Sequence, residues 1–378
     1  MFAKKPSIFK RILKAALIVL ITLVLGVLSC LLYEWYLDYL ERPADVLDEP
    51  TVVQADIILE SGVTYKSGIT KNRAVFCSSE SIKFIDSSGA NTSSVQTAVS
   101  NPVISTAGDY LLVSDKGSKK AKLYKSEKEI AVFELEGSII CASVCEAGLC
   151  VFVTKGELHK CSVVVLNITG EEIFKWNSGG LAVLAADISH NGEEICVSTL
   201  NTDDGVLKSN IIMFNTGKDK PFTNDVYEGL IFASCEYESN YVYVIGDSVT
   251  HIYNSYGKLL GTIDYSERKL LTYDCHKNNL VLVFSNSTYL KGGCLIENYD
   301  TSGKMQGRYE LGGDIKYIDV YGSSIAVNSG NAIAVLDLKC RERKNVMLKN
   351  DIRDFMFFGS ESLGVGVSGA GVNIINVK

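Results

Sequence analysis

The fold of this chain follows from a short pattern, exemplified by Ile252-Tyr253-Asn254-Ser255-Tyr256-Gly257, that recurs along the sequence. In each occurrence an apolar strand ends at Asp or Asn, and a turn that usually contains Gly follows. The Asp or Asn side chain can accept hydrogen bonds from the backbone of its own turn, and Gly tolerates the positive φ that a tight hairpin requires. Each occurrence therefore predicts the end of one strand and the start of a hairpin.

These turn marks have a regular spacing. They fall at Asp86, Lys125, Asn167, Asn215, Asn254, Asp300, Asp337 and Asn376, which are 37 to 48 residues apart. Such a period is typical of four-stranded β-propeller blades. Eight marks predict eight blades. Seven blades is the alternative, if the unit at Lys125, where Asp or Asn is missing, or the first unit is not a full blade.

The segments between the marks predict four strands per unit. In the fifth unit these are residues 230–235, 241–245, 249–253 and 259–264. The last unit has no fourth strand, because the sequence stops at Lys378, directly after the last mark. We expect the apolar segment Thr51 to Glu60 to supply that strand, which closes the ring and removes an exposed sheet edge. The sequence thus predicts an all-β propeller over residues 51–378.

Composition limits the possible functions. Of 378 residues, 47% are hydrophobic and 21% are charged, which excludes a disordered chain. The formal net charge of −7 and the pI of 5.3 lack the basic footprint of nucleic-acid-binding proteins. We therefore predict no nucleic-acid partner.

The N-terminal region has the features of a membrane anchor. Residues 15–33 carry no charge and would form a helix of roughly 28 Å, enough to span a bilayer. Lys and Arg precede this segment and acidic residues follow it, so the positive-inside rule places residues 1–14 in the cytoplasm as a basic tail. Residues 34–50 are predicted to form a juxtamembrane linker, with Trp and Tyr at the interface. The propeller then lies outside the cytoplasm, on a single-pass protein of the cell membrane.

The N-terminus has two alternative interpretations. A cleaved signal peptide would need a small-residue cleavage site, and no A-x-A pattern precedes Tyr33. Val27-Leu28-Ser29-Cys30 resembles a bacterial lipoprotein cleavage site, which would leave Cys30 lipidated. A retained helix and a lipidated Cys30 both tether the same domain to the membrane.

Acidic residues recur where the first strand of a unit ends. The five candidates for ligand binding are Glu146, Asp187, Glu236, Asp274 and Asp319. One interpretation is that they cap turns. The other is a ring of carboxylates at one mouth of the channel, which would focus negative potential on a cation or a basic partner.

Residues 201–205 and 287–293 interrupt the short hairpins and are either binding loops or tolerated insertions.

Cysteine and histidine suggest no catalytic site. Ten Cys follow the apolar segment, most within predicted strands, which favours buried small side chains. The alternatives are a disulfide within the third unit and a metal site. The metal site would consist of Cys141, Cys145 and Cys150 with His159 and Cys161, but the spacing of these residues matches no zinc motif. The four His are predicted at the surface or at strand ends. Neither G-x-S-x-G nor H-E-x-x-H occurs, and we predict no catalytic residue, metal or cofactor.

Over residues 51–378 the repeats resemble WD-repeat-like and quinoprotein-like β-propellers. Only Trp35 and Trp176 occur, and the Gly-His and Trp-Asp signatures of WD repeats are missing. A basic N-terminus, one apolar segment and a propeller rich in Tyr, Ser and Cys are similar to a family of uncharacterised membrane-anchored propellers of anaerobic Gram-positive bacteria. That resemblance implies no assigned activity.

The function predicted from these features is binding. We expect a membrane-tethered scaffold or sensor outside the cytoplasm, which binds a protein or an envelope polymer and is not an enzyme. The alternative is a hydrolase or lyase that acts on envelope glycan, with carboxylates from several blades meeting over the channel. A channel or transporter is disfavoured, because one helix cannot enclose a polar path.

Overall fold

The computed structural model of the chain describes residues 52–54, 59–60, 62–286, 292–369 and 371–377. These residues form 32 strands in eight four-stranded antiparallel sheets. The eight-bladed propeller is confirmed. The seven-bladed alternative is wrong, because the first unit and the unit at Lys125 are both complete blades.

The strands follow one another in chain order. The chain enters through β1 (Val52–Gln54). Blade 1 consists of β2 (Lys66–Ile69), β3 (Ala74–Cys77), β4 (Ser81–Ile85) and β5 (Thr92–Gln96). Blade 2 consists of β6 (Pro102–Ala107), β7 (Tyr110–Asp115), β8 (Lys120–Lys125) and β9 (Lys128–Glu134). Blade 3 consists of β10 (Ile139–Val144), β11 (Cys150–Lys155), β12 (Cys161–Leu166) and β13 (Glu172–Asn177). Blade 4 consists of β14 (Ala182–Ile188), β15 (Glu194–Asp203), β16 (Val206–Asn215) and β17 (Thr223–Glu228).

The second half of the ring repeats this order. Blade 5 consists of β18 (Phe232–Glu238), β19 (Tyr241–Gly246), β20 (Val249–Asn254) and β21 (Leu259–Asp264). Blade 6 consists of β22 (Leu270–His276), β23 (Asn279–Ser285), β24 (Cys294–Asp300) and β25 (Met305–Leu311). Blade 7 consists of β26 (Tyr317–Tyr321), β27 (Ser324–Asn328), β28 (Ala332–Asp337) and β29 (Glu342–Met347). Blade 8 contains β30 (Ile352–Ser360), β31 (Leu363–Ser368) and β32 (Gly371–Asn376), and β1 completes it.

The ring closes as the sequence predicted. Strand β1 pairs antiparallel with β32, with Val53 opposite Ile374. Only Val52–Gln54 of the predicted segment 51–60 form this strand within the described residues. The first and last parts of the propeller therefore share one sheet, which leaves no blade incomplete.

The turn marks work by the predicted hydrogen bonds. Asn254 Oδ1 accepts hydrogen bonds from the backbone N–H groups of Tyr256 and Lys258, at 3.1 and 2.9 Å. Gly257 follows with a φ of 76°. The unit at Lys125 replaces this device with a tight hairpin in which Ser126 takes the positive φ, at 55°. Blade 2 thus forms without the Asp or Asn that marks the other units.

The core lies between blades. The second and third strands of a blade are buried on both faces, as in β3, whereas fourth strands such as β17 alternate between exposed and half-buried residues. Among the residues that the structure describes there are eight clusters of buried apolar side chains, and each combines residues of two neighbouring blades. Because every cluster lies in one of the eight interfaces, packing continues around the whole ring.

The predicted tail, membrane helix and linker of residues 1–50, including Cys30, lie outside the described residues. Within the described residues, no helix has the length and apolarity needed to cross a bilayer.

One ion pair is buried in the interface between blades 5 and 6. The Glu297 side chain is 3% exposed and lies 2.8 Å from Nη1 of Arg268. The Tyr299 hydroxyl donates to the same carboxylate at 2.6 Å. The Arg268 guanidinium also packs over the Phe284 ring at 4.1 Å. Arg268 therefore compensates a carboxylate that has little access to water.

We expect Arg268→Leu to lower the free energy of unfolding by about 2 kcal/mol, because it leaves the Glu297 carboxylate buried with weaker compensation. Arg308→Leu is the matched control, since Arg308 is 45% exposed and 3.8 Å from the same carboxylate. It should cost less than about 1 kcal/mol. Urea unfolding of the two variants measures both effects, and equal losses would contradict the assignment of Arg268 as the principal partner.

Candidate functional site

The central channel contains a cavity of 1010 Å³ at the end where the first strands terminate. First strands of neighbouring blades, such as β10 with β14 and β14 with β18, contact one another around this centre. The lining comes from first strands and from the turns that follow them, such as those at Gly108 and Glu146. Every blade therefore contributes to one opening.

Three of the five candidate acids line this cavity. These are Glu146, in the turn after β10, Asp187 on β14 and Glu236 on β18. Asp274 on β22 and Asp319 on β26 occupy the matching positions of the next two blades. We call Asp187, Glu236, Asp274 and Asp319, on the first strands of blades 4 to 7, the acid arc.

Three members of the acid arc bind the next blade. Asp187 accepts a hydrogen bond from the backbone N–H of Tyr237 at 2.8 Å. In the same way Asp274 accepts a hydrogen bond from the backbone N–H of Val320 at 2.5 Å. Asp319 accepts one from the backbone N–H of Phe357 at 2.7 Å. Turn capping is therefore wrong for these three residues, because their carboxylates join first strands of neighbouring blades.

Glu236 reaches the next blade through side chains. Its carboxylate accepts hydrogen bonds from the Tyr273 hydroxyl and, at 3.5 Å, from the Cys275 thiol, both on β22. Ser234 of its own strand donates at 3.2 Å. All four members of the acid arc thus link their blade to the following one.

Burial in these contacts changes the pKa of three members of the acid arc, Asp187, Asp274 and Asp319. Burial raises the pKa of Asp187 to about 6, although Ser143 and the Tyr237 N–H donate to the carboxylate. Burial also raises the pKa of Asp319 to about 7 against the hydrogen bond from Phe357. Asp274 has a pKa well above its usual value, because of burial and the neighbouring charge of Asp319. Asp187 and Asp319 consequently gain charge as the pH rises toward neutrality.

A second set of polar side chains lies above the acid arc. His190 Nε2 is 3.7 Å from Glu238 Oε2, and His190 Nδ1 is 3.8 Å from Glu146 Oε1. His276 Nδ1 lies 4.0 Å from Glu238 Oε1 and stacks on Tyr321 with ring centroids 5.3 Å apart. We call Glu146, His190, Glu238, His276 and Tyr321 the mouth chain. It crosses blades 3 to 7, one residue from each.

The pKa values of the two histidines of the mouth chain are shifted in opposite directions. Contact with Glu238 raises the pKa of His190 despite its burial, and Glu146 and Asp187 add to the effect. Burial lowers the pKa of His276, although Glu238 opposes the change. Burial alone would raise the pKa of Glu238, but His190 and the Lys277 backbone N–H outweigh it and lower the value. The mouth chain therefore holds the Glu238 carboxylate beside the His190 imidazole, which protonates readily.

Sequence reasoning missed Glu238 and Tyr321. Both lie two residues after a member of the acid arc, on the same face of the strand, as does His276. This period of two was the signal that could have found them. The prediction of His at the surface or at strand ends is confirmed for His159 and His190, which lie in partly exposed turns, and for His276 at the end of β22. It is wrong for His251, which is buried within β20.

The cysteines form no disulfide in the described residues. All ten described cysteines are thiols, and eight of them are buried. In the third unit, Cys145 and Cys161 belong to the core between blades 3 and 4, whereas Cys150 belongs to the core between blades 2 and 3. Within the part of the chain that is described, no three His, Cys, Asp or Glu residues are arranged to hold a metal ion.

Residues 201–205 and 287–293 are the two segments predicted to be binding loops or tolerated insertions. Residues 201–205 extend the hairpin between β15 and β16, so they continue the sheet and form only a short turn. Residues 287–291 of the other segment lie outside the described residues.

Comparison with known proteins places the fold but leaves the activity open. A family model described as "Family of unknown function (DUF5711)" matches residues 52–376. No curated protein sequence matches the chain.

Several solved structures share the architecture. The C-terminal WD40 domain of Sif2 is 9% identical, with a TM-score of 0.57, over 85% of this chain and 99% of that chain. A KlHsv2 structure with loop 6CD replaced by a Gly-Ser linker is 17% identical, with a TM-score of 0.51, over 71% and 90%. A chain of the Mitotic Checkpoint Complex is 10% identical, with a TM-score of 0.50, over 87% and 95%. At these identities the likeness shows the β-propeller fold alone.

The raised pKa of Asp319 predicts a pH-dependent stability. Between about pH 4 and 7 the folded protein keeps a proton on Asp319 that the unfolded chain has lost, so stability falls as the pH rises. Asp319→Asn keeps a hydrogen-bond acceptor but cannot ionise. From pH 5 to pH 8 the wild type should lose about 1–3 kcal/mol more unfolding free energy than the variant, measured by urea unfolding.

Asp86→Asn is the matched control for this measurement. Hydrogen bonds from Ser88 and Asn91 lower the pKa of Asp86 to about 2, so its contribution is constant between pH 5 and 8 and is lost only in stronger acid. The difference between Asp86→Asn and the wild type should therefore be the same at both pH values. An Asp319→Asn difference that is also constant would contradict the burial of that charge.

Proposed function

We propose that this chain, which belongs to the family of unknown function DUF5711, is a membrane-tethered binding scaffold or sensor outside the cytoplasm. Its partner is a protein or an envelope polymer that inserts a positively charged segment into the channel cavity. The β-propeller fold supports this proposal, because a rigid ring presents side chains from many blades to one opening.

The observation that carries the proposal is the acidic wall of the cavity. Glu146, Asp187 and Glu236 line it, and Glu238 lies at the same opening. The Glu146 side chain is 60% exposed and is available to a partner. Carboxylates grouped in a concave site with protein walls concentrate negative potential, which attracts and orients a basic ligand.

The cavity is also lined by two basic side chains. Lys71 and Lys125, from blades 1 and 2, line it together with the acids of blades 3 to 5. Lys125 is held in place by Tyr110, with its Nζ 4.9 Å from the ring centroid. A partner that carries both signs of charge would therefore bind in one orientation.

The membrane tether rests on the sequence. The uncharged residues 15–33, with basic residues before them and acidic residues after them, support a single span with the propeller outside. A tether of this kind would confine binding to partners at the membrane surface.

The alternative, an enzyme acting on envelope glycan, has less support. A glycosidase needs two carboxyl groups that are free to reach the same glycosidic bond. Asp187, Asp274 and Asp319 are each engaged by a backbone N–H of the next blade. Binding is therefore the better explanation of the cavity.

We expect the double variant Glu146→Gln and Glu238→Gln to bind a lysine-rich peptide about tenfold more weakly than the wild type. The full-length chain in detergent would be titrated with labelled lysine-rich and glutamate-rich peptides at two salt concentrations. Wild-type binding should weaken with salt, and the glutamate-rich peptide should not bind.

Glu134→Gln is the matched control, because Glu134 is an exposed acid on the outer strand β9. It should bind the lysine-rich peptide as the wild type does. If the double variant binds with unchanged affinity, or if both peptides bind equally well, the cavity is not a site for basic segments.

A further inference from the structure

Two cysteines face each other in the interface between blades 4 and 5. The Cys235 thiol on β18 donates a hydrogen bond to the carbonyl oxygen of Cys196 on β15 at 3.5 Å. Both side chains belong to the same cluster of buried residues. Cys196 is 0% exposed and Cys235 is 3% exposed. The pair therefore lies inside the core shared by the two blades.

The position of Cys196 has an equivalent in every blade. Cys196 is opposite Met213, two residues before the turn mark Asn215. The same register in the other blades places buried residues, none of them cysteine, at Val75, Leu112, Val151, Tyr243, Val281, Ala326 and Val365.

Cys235 also occupies a repeated position. It precedes Glu236 of the acid arc, and its neighbour across the interface is the second strand of the preceding blade. The residues before the matching positions of the other first strands are Ser67, Ile104, Ala142, Ala186, Tyr273, Ile318 and Phe355. Among these eight interfaces, blades 4 and 5 alone place cysteine at both positions.

We propose that Cys196 and Cys235 are a disulfide-forming pair that covalently joins blades 4 and 5 in an oxidising environment. The contact of the two residues supplies the proximity that a disulfide requires. Other residues occupy one or both of these positions at the other seven interfaces, so the fold does not need a pair of thiols here. The pair is therefore an addition to the repeat and not a requirement of it.

The reaction is a thiol–disulfide exchange with a low-molecular-weight disulfide. One cysteine thiolate attacks the donor disulfide, which forms a mixed disulfide and releases one donor thiolate. The second cysteine thiolate attacks the protein sulfur of the mixed disulfide and releases the other donor thiolate. The two protons of the cysteines pass to the released thiolates, and the donor is reduced by two electrons.

Burial determines when this exchange can occur. Contact with Cys196 and burial raise the pKa of Cys235 well above its usual value, which suppresses the reactive thiolate in the folded state. Oxidation should therefore be fast while the interface is open during folding and slow afterwards.

The joined blades also form part of the cavity wall. Asp187 of blade 4 binds the backbone of Tyr237, two residues after Cys235. A disulfide at this interface would fix Glu236 and Glu238 relative to blade 4. The inference does not depend on the proposed ligand, and its test is separate.

The test is a redox titration of the full-length chain. The protein is unfolded, refolded in buffers of defined oxidised and reduced glutathione, alkylated with N-ethylmaleimide under denaturing conditions, and digested for mass spectrometry. We expect a Cys196–Cys235 cross-linked peptide that increases with the share of oxidised glutathione, while the other eight described cysteines are alkylated. Alkylation of both residues at every ratio, or pairing of either with another cysteine, overturns the proposal.

Variants provide a second readout. Oxidation should raise the urea midpoint of the wild type, because a cross-link restricts the unfolded chain. Cys196→Val, which introduces the residue found at four equivalent positions, should show no redox dependence. Cys150→Val removes a different buried cysteine and should keep the wild-type shift. A redox shift that persists in Cys196→Val contradicts the assignment.

Discussion

A blade of this propeller cannot bury its own apolar faces, and this constraint shapes the whole molecule. Strands such as β3 and β12 are buried along their full length, so both faces of a blade need a neighbour. An open row of such sheets would leave apolar faces at its two ends. The eight shared clusters meet this need only because the ring closes, which makes the short strand β1 important far beyond its three residues.

The candidate site is formed where the same interfaces meet the channel. The first strands of blades 2 to 7 each contribute a side chain that reaches the following blade. In blade 2 the neutral Ser105 hydroxyl accepts a hydrogen bond from the backbone N–H of Val144 at 3.1 Å. Asp187 accepts a hydrogen bond from the backbone N–H of Tyr237 in the same way. Acidic residues at this position in blades 4 to 7 therefore add an ionisable group to a contact that serine can also make. The arrangement combines cohesion of the ring with a negative wall of the cavity.

Much of the fold could be predicted from the sequence, because turn chemistry is local. Asn254 and Asp300 hold turns within six residues of themselves, so their marks are visible in the chain. The site was less accessible to prediction, since its contacts join residues about 40 to 50 positions apart, as in Asp187 with Tyr237. Five acids were found by their recurrence, but the partner of each carboxylate depends on the neighbouring blade. Glu238 was missed and His251 was misplaced for the same reason: their surroundings come from other strands.

The pairing of β1 with β32 also has a consequence for synthesis on the ribosome. Val53 emerges early, whereas its partner Ile374 is made more than 300 residues later. At typical elongation rates the strand waits on the order of half a minute for its sheet to exist. During that time seven blades can assemble while β1 has no sheet to join, and the outward apolar faces of the first and seventh blades have no neighbour. Completion of the ring is thus tied to the synthesis of β30 to β32, and the growing chain exposes apolar faces that are prone to aggregation until then.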